Sequence, residues 1–138
     1  MATKYRTSAS NTDGGTGVSR VPDGLEVRVS SPLDPLRPTG TSDPEQLLAL
    51  AWATCLNATA QAVVRGQRRT AVRVDVELAD ATDRAGYEFH VIATVSAEGL
   101  DDEATRELAV AAHERCPVSR LLHGASTVQV TTERYAVA

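Results

Sequence analysis

The chain has 138 residues and a formal charge of −4, with its arginines scattered rather than gathered into a stripe. That length suits a single domain, 1–138, with a real core, and the charge argues against nucleic acid or an anionic membrane surface as partner. Aromatic residues make up only 4% of the chain, too few for a base-stacking platform. There is no apolar run of about 18 residues and no charged-then-apolar leader, so the expectation is a soluble, cytoplasmic protein. Two cysteines are too few for a disulfide scaffold. In a reducing compartment a disulfide between them would be transient and chemical.

The first 40 residues are rich in Ser, Thr, Gly and Pro. Within them Leu25 to Val29 alternates as a half-buried strand should, and Lys4 to Thr7 suggests another. Gly14-Gly15 and Asp23-Gly24 mark turns. Pro32, Pro35 and Pro38 then force an extended loop that leads into the first helix. That helix has clear punctuation: Asp43 as N-cap, Pro44 as its first residue and Gln46 in the capping-box position. Leu47, Leu48, Ala51, Cys55, Ala58 and Ala62 form one apolar stripe at helical spacing, and Gly66 is the expected stop. The many alanines permit close approach by another helix.

Val72, Val74, Val76 and Leu78 alternate, as do Tyr87, Phe89, Val91, Ala93 and Val95, with Asp80 to Gly86 as a hairpin loop. Asp101 starts a second helix to about Glu114, with Ala104, Leu108 and Ala111 or Ala112 inward. A short helical turn, Pro117 to His123, ends at Gly124, and Val128 and Val130 sit in a last strand. Hairpin-joined strands with helices gathered on one side describe an α+β domain.

Each cysteine stands where a thiol is open to activation. Cys116 precedes Pro117, and the residue before a proline is pushed out of the helical region while proline favours the first helical position. Cys116 is thus an N-cap, its sulfur facing the amides of the next turn, a setting that lowers a thiol's pKa. Cys55 lies inside the long helix beside Trp52 and Leu56. An apolar pocket raises a thiol's pKa, so a reactive Cys55 demands a cation from elsewhere.

Asp43-Pro44-Glu45-Gln46-Leu47 followed by Cys55, and then His113-Glu114-Arg115-Cys116-Pro117-Val118-Ser119, resembles the OsmC/Ohr family of organic hydroperoxide reductases. The resemblance implies an α+β fold of antiparallel sheets around a long central cysteine-bearing helix and a second helix, in an intertwined homodimer. It implies Cys55 as the peroxidatic cysteine, oxidised to a sulfenic acid, and Cys116 as the resolving cysteine that closes a disulfide with it. It implies that Glu45 pairs with a catalytic arginine. Arg37, on the loop before the helix, is the first choice and Arg20 the second, because Gly14-Gly15 is followed by Thr16 where the Ohr branch has its arginine. Leu48 and Trp52 would bind an alkyl or acyl tail. The implied partners are an organic hydroperoxide, a dithiol reductant such as a lipoylated protein, and a second copy of the chain. No metal or bound cofactor is implied.

Two other readings compete. One is a non-catalytic binding module of the same fold in which both cysteines only pack. The other is a zinc site built from His113, Cys116, His123 and Cys55, against which stands the lack of any paired ligand spacing.

Overall fold

A computed structural model describes residues 2–136. The chain divides into two compact units, one ending at Gln46 and the other beginning at Leu47.

The first unit is an antiparallel meander of three short strands, β1 (Ser10–Thr12), β2 (Val18–Arg20) and β3 (Glu26–Arg28). Its register pairs Thr12 with Val18 and Arg20 with both Ser10 and Glu26. The β1–β2 connection needs Gly17, because a Cβ there would run into the Thr12 carbonyl. Lys4 to Thr7, expected as a strand, is not one. Tyr5 is 81% exposed, so that segment buries nothing that would hold it in a sheet. After β3 a bridge between Val29 and Ser42 closes the proline-rich loop, with the Ser30 N–H donating to the Ser42 carbonyl at 2.9 Å.

The long helix α1 (Pro44–Val63) starts as the sequence indicates. The Asp43 carboxylate accepts the Gln46 N–H at 2.7 Å, satisfying one of the helix's orphan donors. Gln46 does not complete a capping box; its side-chain oxygen accepts from the Ser42 hydroxyl at 2.9 Å instead. At the far end the Gly66 N–H reaches the Gln61 carbonyl and the Arg65 N–H the Ala62 carbonyl, a Schellman closure with both residues at positive φ.

In the second unit β4 (Thr70–Asp80) and β5 (Tyr87–Ala97) form a long antiparallel hairpin, in register from Thr70↔Ala97 to Asp80↔Tyr87. The chain then runs through α2 (Asp102–Arg115) and α3 (Pro117–Leu122) into β6 (Val128–Thr132). β6 joins β5 in parallel, pairing Val91 with Val128, where an antiparallel strand was expected. The two helices carry the chain back along the sheet, so the next strand enters in the same direction as the last. The overall α+β reading stands.

Central β5 lends Val91, Ala93 and Val95 to the core, α2 lends Leu108, Ala109 and Ala112, and α1 lends Trp52, Leu56 and Ala60. Each fully buried leucine contributes about 1.5–3 kcal/mol of transfer free energy. The buried face of α1 therefore differs from the stripe read in the sequence. Ala51, Ala58 and Ala62 are exposed, and Leu50 beside them is 64% exposed. Two apolar stripes compete on this helix, and the one carrying Trp52 and Leu56 removes more area from water.

Candidate redox site

The Cys55 and Cys116 sulfurs lie 3.3 Å apart, within sulfur hydrogen-bond distance. Local rules place each. Cys55 is on the fourth turn of α1, next to the core-facing Trp52 and Leu56. Cys116 ends α2 and caps α3 with an extended backbone (φ −68°, ψ 122°) imposed by Pro117, and its sulfur accepts the Ser119 N–H at 3.4 Å. Both are free thiols; Cys55 is half-buried and Cys116 has no exposed surface.

The surroundings treat the two sulfurs differently. Burial pushes the Cys55 thiol up, and the neighbouring Cys116 adds to that, only partly offset by the Val118 amide. Burial also pushes Cys116 up, but the Ser119 amide and hydroxyl, the Cys55 thiol and the Val118 amide outweigh it and bring the thiol down. Of the two thiols Cys116 is therefore the more acidic.

Ser119 is a residue of the thiol site that sequence reasoning did not single out. It is buried, and its hydroxyl oxygen accepts the Trp52 indole N–H at 2.9 Å across 67 residues of sequence. Its place three residues after the capping Cys116 was the available signal. Trp52, expected to touch a substrate tail, is fully enclosed, with His113 behind it at 6.4 Å between ring centroids. Leu48 is half-buried against the core cluster. His123 is exposed, and among the described residues no three His, Cys, Asp or Glu side chains gather as metal ligands. A cavity of about 380 Å³ between α2 and β6, lined by Arg106, His113 and Thr131 among others, contains neither thiol.

Within the first unit, Arg37 and Asp43 form an ion pair at 2.7 Å, with the Asp43 side chain almost fully buried. Arg37 was expected on Glu45; instead it meets the N-cap carboxylate, which faces back toward the loop that carries it. Burial alone would raise Asp43, but the Gln46 amide and the Arg37 guanidinium hold it below the usual range. Burial raises Glu45, and neighbouring Asp43 raises it further. The Glu45 Oε2 atom is buried and has no hydrogen-bond partner among the described residues. Arg20 lies on β2, half exposed, 4.0 Å from Glu26.

Comparison with known proteins places these features in context. The family model described as OsmC-like protein matches residues 38–131. An organic hydroperoxide resistance protein-like chain of Mycoplasma genitalium is 30% identical over 138 residues, covering 95% of this chain and 96% of that one. The organic hydroperoxide resistance protein OhrA of Bacillus subtilis is 32% identical over 114 residues, 79% of each chain. The crystal structure of OhrB from the same organism superposes with a TM-score of 0.83 at 29% identity, over 95% of this chain and 98% of that one.

Proposed function

The chain belongs to the OsmC/Ohr family, and from that premise we propose that it is a thiol peroxidase that reduces organic hydroperoxides to alcohols. The observation that carries the proposal is the 3.3 Å pair of free thiols, one reachable from solvent and the other enclosed among donors.

The chemistry follows from that asymmetry. Only Cys55 meets a peroxide, since Cys116 offers no surface. The Cys55 sulfur, its proton lost to water, attacks the terminal, hydroxyl-bearing oxygen of the O–O bond. The O–O bond breaks, the alkoxide leaves and is protonated to the alcohol, and Cys55 becomes a sulfenic acid. Cys116 then attacks the Cys55 sulfur, expelling the hydroxyl as water and closing the disulfide. In sum, two thiols and one hydroperoxide give one disulfide, one alcohol and one water. The sulfurs need to approach by little more than 1 Å to reach a bond of about 2.05 Å.

A charged Cys55 at the moment of attack requires a cation. We assign that role to Arg37, with Arg20 as second choice, and Glu45 as its carboxylate partner in the working enzyme. Ten residues separate Glu45 from Cys55 on α1, about 15 Å along the axis and on faces some 80° apart. One helix cannot bring them together, so the working unit is a homodimer in which Glu45 serves the partner's site. The exposed Ala51 and Ala58 face of α1 supports such pairing, as does the unpartnered Glu45 oxygen. Half-buried Leu48 favours an alkyl or acyl tail over bare hydrogen peroxide. Regeneration takes a dithiol, such as a lipoylated protein, in a reducing cytoplasm.

The test is a steady-state assay comparing an alkyl hydroperoxide with hydrogen peroxide, using dihydrolipoamide and then thioredoxin as reductant. The proposal expects turnover with the alkyl hydroperoxide and dihydrolipoamide. Absence of turnover with either reductant would overturn it.

A further inference from the structure

Resting on the peroxidase reading, we infer that the Cys55–Cys116 disulfide is reopened at one sulfur only. The reductant attacks Cys55, Cys116 leaves as a thiolate, and Ser119, oriented by Trp52, is the positioning residue that stabilises the leaving group.

The hydrogen-bond inventory fixes the direction. An indole N–H can only donate. The Trp52 N–H therefore fills a lone pair on the Ser119 oxygen, at 2.9 Å, between two buried side chains. The hydroxyl hydrogen of Ser119 is left to be given away. The same residue's backbone N–H donates to the Cys116 sulfur at 3.4 Å, so the hydroxyl hydrogen is carried on the residue already held against that sulfur. Cys116 is thus the sulfur against which Ser119 is held, with the Ser119 N–H bonded to it and the hydroxyl hydrogen not taken up by Trp52. Around Cys55 the Val118 amide offsets burial only in part.

Access points the same way. A thiolate must reach the sulfur it attacks, and Cys116 presents no surface while Cys55 does. Exchange is also faster when the departing thiol is the more acidic. The step balances without further reagents. The dithiol's first thiolate bonds to the Cys55 sulfur, the Cys55–Cys116 bond breaks, and its electron pair leaves on Cys116. The dithiol's second thiolate then attacks its own mixed disulfide, leaving as a cyclic disulfide and releasing Cys55 as a thiolate. Protons from water return the two thiolates to the free thiol pair.

The test uses the full-length protein oxidised with diamide, which makes the disulfide without any peroxide, so a failure of this inference and a failure of the peroxidase reading show up separately. A small monothiol, 2-mercaptoethanol, traps the mixed disulfide, a thiol alkylator blocks the freed cysteine, and peptide mass spectrometry locates both. The inference expects the adduct on Cys55 and the alkyl group on Cys116. An adduct on Cys116, or equal amounts on both, would overturn it. Ser119→Ala is expected to slow disulfide reduction roughly tenfold and to raise the Cys116 thiol's pKa, read by thiolate absorbance in a Cys55→Ser background. Ser119→Thr, which keeps the hydroxyl, should restore both. A Ser119→Ala protein with lowered melting temperature but unchanged Cys116 titration would show a merely structural residue and contradict the assignment.

Discussion

Cys55 and Cys116, 61 residues apart in sequence, hold their sulfurs 3.3 Å from each other while sharing neither exposure nor electrostatic setting. One side is open and disfavours charge; the other is closed and favours it. On the proposed reading this asymmetry divides the labour: Cys55 meets the peroxide and the reductant, and Cys116 closes the disulfide and later leaves from it.

The cysteine variants should separate those roles. Cys55→Ser abolishes turnover. Cys116→Ser still consumes one equivalent of peroxide and stops at the Cys55 sulfenic acid, lacking the thiol that condenses with it. Mass spectrometry after peroxide treatment reads both, and a Cys55→Ser protein that keeps turning over would contradict the assignment.

For the cation, Arg37→Ala is expected to raise the Cys55 pKa and slow peroxide attack by about tenfold or more, with Arg20→Ala doing less. Thiolate absorbance against pH, in a Cys116→Ser background, measures the shift. A larger effect from Arg20→Ala would exchange the two roles. Arg37→Ala should also lower the melting temperature, because it leaves the buried Asp43 carboxylate without its ion pair.

Asp43 itself gives a stability prediction. Asp43→Ala removes the N-cap and should cost about 1–2 kcal/mol, whereas Asp43→Asn keeps an acceptor and should cost less. The folded carboxyl titrates below its ordinary 3.8. Its charge therefore stabilises the fold above about pH 4, and that contribution is lost as pH falls through the folded value. Denaturant melts from pH 7 down to pH 3 should show the gap between wild type and Asp43→Asn narrowing at the acid end. A gap that widens there would reverse the sign.

Much of this was legible in the chain because it is written in local punctuation. Asp43-Pro44 and Cys116-Pro117 each mark a helix start and cap as read, while Asp101, read as the start of the second helix, is its N-cap and accepts the Ala104 N–H at 2.8 Å. What was not legible depends on partners distant in sequence. β1 and β2 are three-residue polar strands with no apolar alternation to reveal them. The Trp52–Ser119 bond joins residues 67 apart, and nothing near either announces it. The core-facing residues of α1 were not legible either, because its apolar spacing fits more than one stripe and only packing against β5 and α2 selects Trp52 and Leu56. Arg37 met the cap instead of Glu45 for a related reason: a capping carboxylate was read only as a helix signal.

Sharing of the site between two copies is tested by complementation. Glu45→Ala and Cys55→Ser proteins, unfolded and refolded together, should recover about half of the wild-type sites in the mixed dimers, since one of the two sites keeps both residues. A mixture as inactive as its parents, with mixed dimers present by native mass spectrometry, would rule out sharing in trans.

The central claim, that this thiol pair does peroxide chemistry, is met most directly by counting thiols. Reduced protein is treated with one equivalent of an alkyl hydroperoxide per chain and titrated with a thiol reagent under denaturing conditions. The account predicts that both thiols disappear together and return with a dithiol. Both thiols still titrating after the peroxide is added would contradict it and leave the cysteines as packing residues.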